Sequence, residues 1–273
     1  MKKIIILCAM LLGVSYSLFA QPRSIKKMME LKMPKTADDL MCGTRGASVA
    51  WDPAGKKYYA AFAGNAGFPL GVFDASGRLL TDTSLNTQRD IRALWYNPIS
   101  KKISGNCYND GGWFSYSCNA KAVPTACQTD VEGMYQPDEQ SAGAFDPVSK
   151  SVFFLDGGKL SFYRNTSKIP FKTVALHWGR PKILGPADFE SPDDIKEGYN
   201  STSAVYTGLP NAQVAVLNVT RAQIELYDYN EGYLQQILLL PEGTSVEYVF
   251  NFSYANGFFW LFDIDTRTWL AFK

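Results

Sequence analysis

The segment Trp51-Asp52-Pro53-Ala54-Gly55-Lys56-Lys57, leading into the apolar run Tyr58 to Phe62, recurs along the chain. Tyr96-Asn97-Pro98-Ile99-Ser100-Lys101-Lys102 leads into Ile103, and Phe145-Asp146-Pro147-Val148-Ser149-Lys150 leads into Val152 to Leu155. In each copy an aromatic residue ends one strand, a turn follows, and a second strand begins. The Asp or Asn side chain caps the turn and Pro fixes the next φ near −65°, so the triplet is a hairpin signal with a mechanism. Two degenerate copies follow: Val205-Tyr206-Thr207-Gly208-Leu209-Pro210-Asn211 before Val214 to Leu217, and Phe252-Ser253-Tyr254-Ala255-Asn256-Gly257 before Phe258 to Phe262.

The residues after the five aromatics are 52, 97, 146, 207 and 255, giving steps of 45, 49, 61 and 48 residues. Short strands repeating every 40 to 50 residues or so are the signature of propeller blades. Outward from each hairpin the sequence offers two more strands: Leu70 to Asp74 and Arg78 to Thr83 in unit 1, and Trp113 to Cys118 and Ala126 to Val131 in unit 2. Unit 3 offers Lys159 to Tyr163 and Phe171 to Trp178, and unit 4 Gln223 to Tyr229 and Tyr233 to Leu240. The fifth unit has only Thr268 to Phe272 before the chain stops, and Met28 to Met33 is the candidate for its missing outer strand. The expectation is an all-β, five-bladed β-propeller of four-stranded antiparallel blades, the last closed by the N-terminal strand, which hides edges that would otherwise aggregate. Six blades, with a rudimentary one inside 179–202, is the alternative, and an open sandwich or barrel is the competing architecture.

The chain has 273 residues, 46% hydrophobic, 14% aromatic and 19% charged, which excludes disorder, collagen and coiled coil. Lys2 and Lys3, the apolar run Ile4 to Val14 and the small residues Ser15 to Ala20 follow the order of a bacterial-type secretory signal peptide cleaved near Ala20, leaving 21–273 as one propeller domain. Without the leader, 25 basic residues face 26 acidic ones, so a strongly basic nucleic-acid binder is not expected. No later apolar run is long enough to span a membrane, and the mature chain reads as a soluble monomer of the periplasm or cell surface.

Four cysteines remain, Cys42, Cys107, Cys118 and Cys127, an even number in an exported chain. Propeller geometry favours pairing Cys42 with Cys107 and Cys118 with Cys127. Cys107 with Cys118 is an alternative, as are free thiols.

In a propeller, the loops from strand d to the next strand a and from b to c share one face, the usual binding surface. Here that face gathers 35–47, 84–91, 133–141, 179–202 and 241–245, with 64–69 and 106–112. The candidate binding residues on it are Arg45, Arg89, Asp90, Tyr108, Asp110, Trp113, Tyr135, Asp138, Trp178, Arg180 and Tyr199. Carboxylates there could supply a glycosidase pair, and aromatics could stack on a sugar or fill a partner's pocket. No catalytic residue and no metal ligand is assigned. His177 is the sole histidine, so a multi-histidine zinc site is impossible, and no Gly-x-Ser-x-Gly elbow or phosphate-binding glycine motif occurs. Asp74-Ala75-Ser76-Gly77 and Asp263-Ile264-Asp265 hint at calcium spacing, but both read as hairpin turns. No cofactor is expected, with calcium left open.

The repeated Asp/Asn-Pro-x-Ser/Gly-Lys hairpin, at 52–56, 97–101 and 146–150, resembles the strand a to b turn of TolB-like and NHL-like bacterial propellers. That resemblance implies a protein-binding or ligand-binding platform. Trp51-Asp52-Pro53 is also similar to a segment in some five-bladed glycan-cleaving enzymes, where an Asp before Pro is catalytic. Here Lys56 and the strand at Tyr58 follow so closely that Asp52 reads as a turn residue. The leading expectation is therefore a non-catalytic propeller that binds a protein or glycan, and the alternative is a glycan-active hydrolase using paired loop carboxylates.

Overall fold

A computed structural model describes residues 21–34, 44–182 and 197–273, and these form a five-bladed β-propeller. Blade 1 comprises Arg45–Asp52, Lys57–Ala63 and Gly71–Asp74. Blade 2 comprises Ile91–Asn97, Lys102–Cys107, Trp113–Cys118 and Pro124–Val131. In blade 3 the strands are Ala144–Asp146, Ser151–Asp156, Lys159–Arg164 and Ser167–Ala175, and in blade 4 Tyr199–Leu209, Ala212–Asn218, Gln223–Tyr227 and Tyr233–Leu239. Blade 5 takes Phe252–Ala255, Phe258–Asp263 and Thr268–Phe272 from the C-terminal end and Lys27–Lys32 from the N-terminal end. The last pairing is antiparallel, Lys27 opposite Phe272 and Lys32 opposite Thr268, so the expected strand exchange closes the ring.

All five repeated turns share one backbone feature. Lys56, Lys101, Lys150, Asn211 and Asn256 sit at φ between 51° and 58°, in the left-handed region, each just before strand b begins. The degenerate copies therefore keep the turn while losing its Asp-Pro chemistry. Asn256-Gly257 does so as a two-residue hairpin with both residues at positive φ. In blades 1 to 3 the cap is formed as the sequence indicates: Asp52 accepts from the Ala54 amide at 2.9 Å, Asn97 from Ile99 at 3.0 Å, and Asp146 from Val148 at 2.9 Å. Asp74 likewise caps Ser76 and pairs with Arg78 at 3.0 Å, which makes it the hairpin residue expected.

Three expectations change. Strand d of blade 1, expected over Arg78 to Thr83, has only one bridge, Phe73 to Leu79. The Thr81 hydroxyl takes over the ladder, accepting from the Val72 amide at 3.1 Å and donating to the Leu70 carbonyl at 3.3 Å, so the main chain departs from strand geometry. Strand d of blade 3 ends at Ala175, not Trp178. His177–Pro181 is a separate strand that crosses to run parallel to the outer strand of blade 4, held by the His177 amide on the Gly232 carbonyl at 2.8 Å. The long loop of 179–202 is shorter at both ends, since this strand and the inner strand starting at Tyr199 invade it; its middle, 183–196, lies outside the described residues, as do 1–20 and 35–43 with Cys42.

The core lies in wedges between blades. One cluster joins blades 1, 2 and 3, around Tyr59, Trp95, Phe114 and Phe154, and another joins blades 3 and 4, around Phe153, Phe162 and Tyr227. Two more join blades 4 and 5, around Leu226 and Leu261, and blades 5 and 1, around Phe62, Trp260 and Trp269. Leu31 of the closing strand is fully buried in the last of these. Truncation there removes side chain from the wedge that seals the ring, so Leu31→Ala is expected to destabilise the fold by about 2–5 kcal/mol, read from chemical denaturation.

Candidate functional site

The five inner strands pack side by side around a central channel, and five blades leave room only for small side chains. Ala50, Ala93, Gly143, Ala144, Ala204 and Ala255 line it, with the hydroxyls of Ser48 and Ser253 3.1 Å apart across the blade 1–5 joint. Toward the loop face the channel is shut by buried polar groups. The Asn251 carboxamide oxygen accepts from the Gly46 amide at 2.7 Å, the Asn200 carboxamide donates to the carbonyls of Glu247 and Phe250 at 2.8 Å, and the Asn106 carboxamide donates to the Ser141 carbonyl at 2.8 Å while accepting from Gly143 at 3.0 Å. Each of these amides ties one blade to the entry of the next.

On the loop face itself the candidate residues separate into distinct groups. Asp90 accepts from the Gly64 amide at 2.9 Å and pairs with Arg92, a residue only 4% exposed whose guanidinium lies 4.6 Å from the Tyr108 ring and 5.5 Å from that of Phe250. The Tyr108 phenol is raised, chiefly by its hydrogen bond with Glu139. This is a closed plug of charge and ring. Trp113 is buried, edge-on to Trp95 at 6.4 Å and against Tyr135 at 6.0 Å, and belongs to the core between blades 2 and 3. Asp138 accepts from the Gln140 amide at 2.8 Å, Asp110 is exposed with its carbonyl on the Gly133 amide, and Arg45 is a half-buried first residue of its strand.

Arg89 donates to the Thr129 hydroxyl at 2.6 Å and also reaches Cys127. Cys107, Cys118 and Cys127 are free thiols. The expected Cys118–Cys127 bond does not form because the strand register sets Cys127 opposite Tyr116 and Cys118 opposite Pro124. Cys107–Cys118 is absent as well, and Cys42, proposed as the other partner of Cys107, lies outside the described residues. Burial raises all three thiols, Cys107 to about 12, which keeps them protonated and unreactive at neutral pH.

Blade 4 carries the third group, which the sequence reading identified only in part. Trp178 packs against Tyr199 at 4.2 Å with the rings tilted by 40°, and meets Tyr227 edge-on at 6.2 Å. Beneath them lies the fully buried carboxylate of Glu225. The phenols of Tyr199, at 2.8 Å, and Tyr227 donate to one oxygen, and the side-chain amides of Asn218, at 2.9 Å, and Gln223, at 2.7 Å, donate to the other. The Gly179 amide donates onward to the Tyr227 oxygen at 2.9 Å, which locks the crossing strand to the same network. Burial raises both phenols, with Glu225 adding to the effect. Above this floor opens a cleft of about 590 Å³ walled by Trp178, Arg180, Glu197, Asn218, Thr220 and Arg221. Glu225, Tyr227 and Arg221 were missed. The signal for the first two was present: Gln223, Glu225 and Tyr227 alternate on one side of a strand whose other side is Ile224 and Leu226, so a polar set faces inward.

His177 stacks on Tyr233 at 4.1 Å and is lowered by burial and then by Arg180. Among the described residues, no group of three or more His, Cys, Asp or Glu is placed to hold a metal ion, and no helix is long and apolar enough to cross a membrane.

No family model matches the sequence, and no curated protein matches it. Among solved structures the chain is similar to a gluconolactonase from Xanthomonas campestris, at 9% identity over 92% of this chain and 97% of that one, with a TM-score of 0.48. It is also similar to a glutaminyl cyclase from Myxococcus xanthus, at 9% identity over 93% and 98% with a TM-score of 0.49. The Cps50 (Swd1) β-propeller domain of Myceliophteria thermophila follows at 10% identity over 83% and 82%, TM-score 0.44. No activity passes to this chain from likenesses at such identities.

Two outcomes test the network. Glu225→Gln places an NH₂ group among four donors, and is expected to lower stability by about 1–3 kcal/mol in denaturant titration. Tyr199 and Tyr227 have folded-state pKa values raised above the unfolded value near 10. The stability they contribute is complete below about pH 10 and is lost as pH rises toward the folded values, so the melting temperature is expected to fall above about pH 10, less steeply in Tyr199→Phe.

Proposed function

We propose that this protein is an exported, non-catalytic binding module that acts as a monomer and takes a protein or glycan ligand on its loop face, with the blade 4 cleft as the principal site. The observation that carries this reading is the division of labour in that cleft. The group suited to proton chemistry, Glu225, is sealed below the floor with four donors, and the two tyrosines beside it are held protonated. The rim instead presents the guanidinium of Arg221, the hydroxyl of Thr220 and the carboxylate of Glu197, all on exposed residues, over an aromatic floor. Guanidinium, hydroxyl and aromatic surface are the means of holding a hydroxyl-rich, anionic ligand, such as an acidic glycan or an acidic peptide.

Calorimetric titration with a panel of uronic-acid-containing oligosaccharides is expected to find binding without turnover, weakened about tenfold or more (about 1.4 kcal/mol) in Arg221→Ala. Release of shortened sugars on prolonged incubation would overturn the non-catalytic reading and favour a hydrolase. Binding that Arg221→Ala leaves unchanged would remove the cleft from the proposal. Export is tested separately: the full chain expressed in a bacterium is expected to yield a species whose mass begins at Gln21, and retention of the leader speaks against it.

A further inference from the structure

The channel does not open where the loop face would use it. Its loop end is closed by residues that are nearly inaccessible, Arg92, Ser141, Thr202, Phe250 and Asn251. Its other end widens between the five repeated turns, where Pro53, Pro98 and Pro147 join the half-buried rings of Trp51, Tyr96, Phe145, Tyr206 and Tyr254 in lining it. The result is a blind socket of about 310 Å³, polar at its floor and apolar at its mouth, on the face opposite the blade 4 cleft.

The surface around this mouth is arranged in rings. The tips of three turns are exposed aliphatic side chains: Ile99 is 58% exposed, Val148 73% and Leu209 41%. Beside them Lys56, Lys101 and Lys150 occupy the same left-handed turn position in blades 1, 2 and 3, all exposed. The acids of these turns do not offset that charge at the surface to the same degree. Asp146 is fully buried and bound to the Val148 and Ser149 amides, Asp52 is half-buried and bound to the Ala54 amide, and the equivalent positions in the other blades are Asn97, Thr207 and Ala255. Carboxylates on the outer hairpins of this face are themselves engaged: Asp74 with Arg78, Asp228 with the Asn230 amide and Glu231 with Lys182. The inner circle is therefore apolar and cationic, around a hole large enough for a side chain.

We propose that the turn face is a second docking surface, and that its occupant is an acidic protein segment whose single bulky apolar side chain enters the socket while its carboxylates lie on the lysine crescent. Charge complementarity selects an acidic partner. The concave mouth selects a protruding side chain over a bilayer, which meets a protein along a flat or convex surface and leaves a blind hole unfilled. An apolar anchor in a pocket ringed by charge is the usual anatomy of a protein-binding hot spot. This surface is independent of the blade 4 cleft, and either can fail alone.

The test uses fluorescence polarisation of labelled peptides on the protein lacking its leader. Glu-Glu-Phe-Glu-Glu is expected to bind, more weakly with added salt, and at least about tenfold tighter than Glu-Glu-Ala-Glu-Glu or Lys-Lys-Phe-Lys-Lys. The double variants Lys101→Glu/Lys150→Glu and Ile99→Asp/Val148→Asp alter exposed side chains, so the melting temperature should hold while affinity drops at least about tenfold. Arg221→Ala, on the other face, should bind the peptide unchanged. Equal binding of the three peptides, no saturable binding at all, or indifference to both double variants overturns the proposal. Sedimentation with phosphatidylserine vesicles in place of peptide binding overturns it too, in favour of a membrane-facing surface.

Discussion

The pairing of Lys27–Lys32 with Thr268–Phe272 is the constraint on which everything else in this molecule rests. A blade buries its faces only against its neighbours, so an open ring of five would leave two faces and several edges in water. One antiparallel ladder between the chain ends removes those edges, and it brings Leu31 into the wedge with Trp260 and Trp269. The same need for contact between blades explains why the cores are wedges and not a single centre. It also explains why the repeated aromatic side chains are half-buried: Tyr206, for example, leans from blade 4 onto Phe153 and Asp146 of blade 3.

Closure with five blades sets the radius of the channel, and the radius sets its chemistry. Inner strands this close tolerate Ala, Ser and Gly, and buried backbone at their loop ends must find partners without water. Asn106, Asn200 and Asn251 supply them by bridging consecutive blades. These bridges seal the channel on the loop side, whereas the turns, which cap themselves through Asp52, Asn97 and Asp146, need no such plug. The direction in which the socket opens thus follows from where the backbone satisfies itself locally and where it cannot.

What the sequence disclosed and what it withheld divide along the same line. The turns are local: an aromatic, a capping side chain and Pro lie within four residues, and their recurrence was enough to count blades and to recognise Met28 to Met33 as the missing strand. Thr81 was illegible as a ladder substitute because its role depends on the main chain of Leu70 and Val72, and the Cys118–Cys127 pairing failed because register, not proximity along the chain, decides which side chains meet. The loop-face residues met several fates. Asp90 and Tyr108 became part of a plug around Arg92, Trp113 became core, and only Trp178, Arg180 and Tyr199 gathered at a cleft. Composition marks a residue as polar; only its neighbours decide whether its hydrogen-bonding capacity is left over.

That leftover capacity is the basis on which function can be argued for a propeller whose blades are built alike. The carboxylate of Glu225 is chemically the most conspicuous group in blade 4, yet four donors saturate it and fix two tyrosines and a crossing strand in place, so its contribution is rigidity. Asp90 and Asp146 are committed in the same way. Arg221 on one face and the lysines of the turns on the other stand exposed on hydrogen-bonded turns. Rigid frameworks lose little entropy when a ligand arrives, so charges presented on them discriminate by geometry as well as by sign. On the reading proposed here, the buried acids build the platform and the exposed bases select what lands on it.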